Sequence, residues 1–97
     1  RSTATRRPAL VLSDSAAFNT QAGQCVLAMI TSARHSAWPL DVELQDLDAA
    51  GLAATSIVRT KLFTLPDSRI IRQAGALADV DKQNVRTALA NLLPTPS

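Results

Sequence analysis

Two short apolar runs open the chain, PALVLSD at 8–14 and QCVLAMIT at 24–31, separated by Asp14, Asn19 and Gly23. That pattern predicts two largely buried strands joined by an irregular loop. In DVELQDL, 41–47, Val42 and Leu44 alternate with Asp41, Glu43 and Gln45, the period-2 spacing of a half-exposed strand, so one face of the sheet should be wet. The segment 48–54 carries Gly51 and predicts a turn, and SIVRTKLFTL, 56–65, predicts another strand from its β-branched and aromatic content. Pro66 and Asp67 break the pattern, a short RIIRQ segment follows, and Gly75 separates it from the last element. From Asp79 to Leu93 there is no Gly or Pro, and Val85, Leu89, Leu92 and Leu93 stand at i, i+4, i+7 and i+8. This predicts a C-terminal amphipathic helix over 79–93. Asp79 and Asp81 suit the positive end of its dipole and offer capping oxygens, while Pro94 and Pro96 end it. Short strands followed by one helix predict a mainly β (α+β) fold, a small curled sheet with the helix packed on it.

At 97 residues and 46% hydrophobic content, the chain can build one core, and residues 1–97 are expected to form a single domain. Residues 1–7, RSTATRR, hold three arginines and no acid, and are expected to be a basic loop or frayed end. Pro8 and a β-type run follow at once, leaving no room for an amphipathic transit peptide. One cysteine permits no internal disulfide and fits a reducing cytosol. The apolar runs are far below the roughly 20 residues of a spanning helix, so no membrane segment is expected. A net charge of +2 does not by itself announce a nucleic-acid binder.

Candidate chemistry is reached largely by elimination. The chain has one histidine and no GxSxG, which disfavours a serine hydrolase. Cys25 sits inside an apolar run, the setting of a buried inert thiol rather than of a thiolate paired with His35. Asp46 and Asp48 before Gly51 look like the start of a calcium loop, but Ile57 holds the twelfth position in place of a bidentate carboxylate. One His and one Cys make a zinc site improbable, and phosphate-cradling glycine motifs are absent. What remains is a set of cations and hydroxyls near strand ends: Arg6, Arg7, Thr31, Ser32, Arg34, His35, Arg59, Lys61, Thr64, Arg69 and Arg72. Such groups bind phosphates. They also make up an ordinary solvated basic face, and charge alone leaves both open.

RRPALVLSDSAAFN (6–19), VLAMITS (26–32) and SIVRTKLFTLPDSRIIRQAGAL (56–77) together resemble the MazF/PemK family of toxin endoribonucleases. The match lies in order and spacing: Arg-Pro before an apolar run with a Ser, a strand ending in Thr, a Gly51-Leu52 turn, then a Ser-x-Val strand leading to Thr-x-x-x-x-Arg and Gly-x-Leu. The resemblance implies an SH3-like or CcdB-like small barrel with a C-terminal helix. It implies a cytoplasmic homodimer that cleaves single-stranded mRNA without metal or other cofactor and is blocked by a cognate antitoxin. Arg7 and Thr31 match the catalytic positions. Because the nucleophile is the RNA's own 2′-hydroxyl, Arg7 would stabilise phosphate charge and Thr31 would donate to a non-bridging oxygen. The RNA groove would draw on Arg6, Ser32, Arg34, His35, Trp38, Arg59, Lys61, Thr64 and Arg69.

Several positions carry two readings. Lys61 holds a place that is often glutamine in relatives, so it would read a base differently. His35 is either a base or stacking group or an exposed loop residue, and Trp38 either stacks on an unpaired base or packs. The family begins with a hydrophobic strand ahead of the arginine loop that has no counterpart before Arg1, which implies a barrel lacking its first strand, with an open edge. Four basic residues against one acid between Arg59 and Arg72 suit an acidic antitoxin segment. Two other functions stay in view: a CcdB-like gyrase poison, whose C-terminal Trp-Gly-Ile is replaced here by LLPTPS, and a catalytically silent antitoxin-binding or RNA-binding relative.

Overall fold

The computed structural model describes residues 6–32 and 38–95. Four strands, β1 (Ala9–Val11), β2 (Gln24–Ser32), β3 (Val42–Glu43) and β4 (Ser56–Pro66), form one antiparallel sheet in the order β1-β2-β4-β3. The sheet curls into a half-barrel against the C-terminal helix α3 (Asp79–Leu92). Pleat alternation divides the chain cleanly. Even-numbered Leu10, Ala28, Ile30, Val42, Val58 and Leu62 pack with Val85 and Leu89 of α3 in the core, so the odd-numbered partners lie on the other face. That second face is not uniformly wet, as expected from β3 alone: Cys25, Leu27 and Ile57 on it are buried.

The first strand is shorter and more exposed than expected, with Val11 44% accessible. Its run is cut by side-chain competition for the backbone. The Ser13 hydroxyl accepts from the Val26 N–H at 2.9 Å and donates to the Asn19 side-chain carbonyl, and the Asp14 carboxylate accepts from Ala17 N–H at 2.7 Å. Asp14 thus opens a helical turn at Ser15–Asn19 that runs on through α1 (Thr20–Ala22), and left-handed Gly23 ends it. The loop between the first two strands is therefore largely helical.

The third strand reaches only Glu43, although Leu44 N–H still bonds Ser56 C=O at 3.0 Å. The next two donors, Gln45 N–H and Asp46 N–H, are taken by the Asp81 carboxylate at 2.9 and 3.0 Å. Asp46 then caps the short helix α2 (Leu47–Ala50) through Ala49 N–H, and Gly51 closes it with φ 71°. The segment 48–54 is thus a helical turn followed by a glycine stop.

Beyond β4, a 3-10 turn at Asp67–Arg69 leads to an extended, exposed stretch through residue 76. Helix α3 ends one residue earlier than predicted, and Leu93, expected in the apolar stripe, is 63% exposed. The buried stripe is Asp81, Val85 and Ala88, flanked by half-buried Leu89 and Leu92. Neither Asp79 nor Asp81 caps the helix: its N-cap is Ala78, which offers no side-chain oxygen. No helix among the described residues is long and apolar enough to cross a membrane.

Candidate nucleic-acid interface

The register of the sheet decides which candidate residues can act together. Between β1 and β2 the pairs are Ala9 with Met29, Leu10 with Ala28 and Val11 with Leu27. Arg7 lies two residues ahead of Ala9, outside β1, and Thr31 lies two residues beyond Met29 in β2. Thr31 is in turn paired with Ile57 of β4, and Met29 with Arg59. The end of the sheet where β2 closes carries Thr31, Arg59 and, two residues further along β4, Lys61. Arg6 and Arg7 are exposed just ahead of β1, and Ser32 is exposed at the end of β2.

Strand β4 is locally irregular at this place. Ala28 faces Leu62 while Met29 faces Arg59, so Thr60 and Lys61 have no partner on β2. This two-residue bulge re-aims both side chains, a common device beside functional sites. The Thr60 hydroxyl donates to Pro39 C=O at 3.0 Å, and the Lys61 ammonium lies 5.5 Å from the centre of the Trp38 ring. Next to them, Arg59 donates from Nε and Nη2 to the two oxygens of Asp41, at 3.2 and 2.9 Å. The Asp41 side chain is only 6% exposed. This forked pairing raises the Arg59 pKa above its ordinary value, mainly through the hydrogen bond to Asp41.

Other candidates lie elsewhere. Thr64 is paired with Val26, on the α3 side of the sheet, five residues along β2 from Thr31, a separation of roughly 17 Å. Arg69 is exposed in the turn beyond the same distant end of β4. Arg34 and His35 fall outside the described residues. Cys25 is buried, and its thiol donates to Asp67 Oδ1 at 2.9 Å. That hydrogen bond first, then burial and the carboxylate charge, push the thiol pKa up, the opposite of what a nucleophilic thiolate needs. Among the described residues no three His, Cys, Asp or Glu side chains come together in a way that could hold a metal ion.

Asp41 and Thr60 are parts of this arrangement that sequence patterning missed. Asp41 reads as the wet position of an alternating strand, and only the Trp-Pro ahead of it signals the turn in which it sits.

A curled antiparallel sheet with a helix over one face makes this chain a small half-barrel. The model of the family described as "PemK-like, MazF-like toxin of type II toxin-antitoxin system" matches residues 1–93, and the chain belongs to that family. Among solved structures, the MazE–MazF complex of Deinococcus radiodurans in its second crystal form is 30% identical to this chain. It superposes with a TM-score of 0.71 over 94% of this chain and 84% of that one. The Mycobacterium tuberculosis toxin MazF-mt6 has the same fold at 22% identity and TM-score 0.74, covering 94% of this chain and 89% of its own. So does an endoribonuclease in complex with its cognate antitoxin from a mycobacterial species, at 22% identity and TM-score 0.74, covering 94% and 84%. No sequence among the curated proteins matches the chain.

Proposed function

We propose that this toxin is a cytoplasmic, homodimeric endoribonuclease that cuts single-stranded mRNA at specific sequences without a metal ion, and that a cognate antitoxin silences it by covering the same face. The observation that carries the reading is the register of β1 on β2, Ala9 against Met29, which supports Arg7, two residues ahead of Ala9, acting together with Thr31, two residues beyond Met29.

The chemistry asks for no covalent nucleophile from the protein. The substrate's 2′-oxygen attacks the adjacent phosphorus, the P–O2′ bond forms and the P–O5′ bond breaks. The 2′-hydroxyl loses its proton and the departing 5′-oxygen gains one, leaving a 2′,3′-cyclic phosphate and a 5′-hydroxyl. Arg7, charged at any physiological pH, stabilises the negative charge that gathers on the phosphoryl oxygens. Thr31 donates its hydroxyl proton to one non-bridging oxygen and fixes the phosphate against the sheet. A rigid β2 strand supports that aim better than a loop would.

Exposed Val11 and Phe63, which flank Leu27 across the middle of the odd face, provide apolar area of the kind a two-fold partner buries. The exposed cations Lys61, Arg69 and Arg72 favour an acidic antitoxin segment that folds on binding.

The decisive experiment incubates the purified protein with a long RNA in EDTA and maps both ends at each cut. Cyclic phosphate or 3′-phosphate on one fragment and 5′-hydroxyl on the other is the expected result. Dependence on added metal, or cutting of RNA carrying a single 2′-deoxy residue at the cut site, would overturn the mechanism.

A further inference from the structure

Three consecutive residues of β4 hold one turn of the chain. Arg59 binds the Asp41 carboxylate, Thr60 binds Pro39 C=O, and Lys61 covers part of the Trp38 ring. The turn itself closes through Asp41 N–H to Trp38 C=O at 3.3 Å. With Pro39 at its second position and Leu40 at φ 65° in its third, it has the arrangement of a type II turn. Leu40 is the one non-glycine residue with positive φ among those described. A leucine persists there only where its surroundings over-determine the backbone, and such outliers cluster at ligand clamps.

These grips fix a large aromatic ring in the open. Trp38 is 43% exposed, and Phe63, two residues beyond Lys61 on β4, is 36% exposed. A tryptophan serving only to pack would be more fully covered. Lys61 is exposed, and its cation makes no ion pair with any described residue. Along the sheet, Lys61 stands two residues beyond Arg59, whose β2 partner Met29 is two residues from Thr31. That path is roughly 13 Å, short enough for one oligonucleotide to span both places.

We propose that Trp38 and Lys61 form a nucleotide subsite for single-stranded RNA, in which the ring stacks one unpaired base and the ammonium contacts a phosphate beside it. Asp41 and Arg59 are its positioning residues, and the β4 bulge at Thr60–Lys61 is what brings the two halves together. Stacking on a held ring suits any base, because every base has a π-face, and lysine adds charge without reading sequence. The subsite therefore contributes affinity and register to the RNA rather than base identity. The inference rests on the RNA-cleaving reading for its ligand, but its test does not depend on cleavage.

Trp38 is the only tryptophan and the chain has no tyrosine, so intrinsic emission reports on this one ring. The probe is a short, mixed-sequence, single-stranded 2′-O-methyl RNA, which lacks the attacking hydroxyl. Titration should quench Trp38 emission to saturation. With a labelled probe followed by anisotropy, Trp38→Leu should bind roughly 5- to 150-fold more weakly, and Trp38→Phe should recover part of the loss. Lys61→Ala should lower the slope of log affinity against log salt by about one. Asp41→Asn should reduce the quench and raise KM for cleavable RNA while kcat holds, whereas Arg7→Ala should keep the quench and lose kcat. If Asp41→Asn fails to fold, Thr60→Val, which removes the grip on Pro39, takes its place. Cleavage in EDTA with Trp38 emission unmoved, or equal probe binding by wild type and Trp38→Leu, overturns the subsite and leaves the cleavage reading standing. Saturable quenching without any cleavage of natural RNA does the reverse.

Discussion

Gly51 and Gly75 lie against each other's neighbours: a Cβ on Gly51 would overlap the carbonyl oxygen of Ala74, and one on Gly75 would overlap that of Ala49. Ala76 N–H bonds the same Ala49 carbonyl at 2.9 Å, so the segment leading to α3 is laid directly on the end of α2. Gly75→Ala should cost about 1–3 kcal/mol from overpacking. Gly51→Ala should cost more, since left-handed φ adds about 1–2 kcal/mol for any L side chain. Urea unfolding midpoints of the two variants check both the sign and the order.

Asp81 is wholly buried and satisfied by Gln45 N–H and Asp46 N–H. It ties α3 to the end of β3 in place of a longer strand. Asp81→Asn keeps one acceptor, and the loss should be about 1–3 kcal/mol; Asp81→Ala leaves both part-buried amide donors without their partner and should lose more. Native-state hydrogen exchange should show the Gln45 and Asp46 amides losing protection in both variants, ahead of the amides in β2.

The raised thiol pKa of Cys25 has a definite sign for stability. The fold favours the protonated thiol, so the unfolded chain gives up this proton first as pH rises. Its contribution is present below the ordinary thiol pKa of about 8.5 and fades as pH climbs from there through the raised value. Cys25→Ser should therefore flatten the alkaline decline in melting temperature. The wild-type thiol should also react sluggishly with iodoacetamide at neutral pH.

Catalysis should divide sharply by residue. Arg7→Ala and Thr31→Ala should each cost roughly 100- to 1000-fold in single-turnover cleavage, the usual loss on removing a charge-stabilising donor. Cys25→Ser and His35→Ala should cost far less. Circular dichroism of all four variants guards against simple unfolding, and a folded Arg7→Ala protein cutting at the wild-type rate would refute the assignment.

Much of the architecture is legible from residue pattern because it rests on local periodicity. The apolar run of β2 and the β-branched content of β4 mark strands covered on both faces, and the 3.6-residue stripe of α3 follows from burial on one side. Where patterning failed, a single polar side chain had outbid it from far along the chain. Val42 to Leu44 alternate correctly, yet the strand stops because Asp81, 36 residues from Gln45, supplies the acceptor that a neighbouring strand would have supplied. The Arg7 and Thr31 positions come from resemblance, and what Thr31 faces across the sheet depends on a register no local pattern encodes. Asp41 was hidden for the same reason, since its partner Arg59 is 18 residues away.

The bulge in β4 holds two residues, and two is the pleat's own period. Removing Thr60 and Lys61 together would shorten the strand without inverting it, so Val58 and Leu62 would still both point to the core. Removing either alone would leave a one-residue bulge, with its own local bend and twist. A paired change in length thus leaves the flanking pairs of β2 and β4 as they are, which sets positions 60 and 61, and the turn they hold, apart from the scaffold on either side.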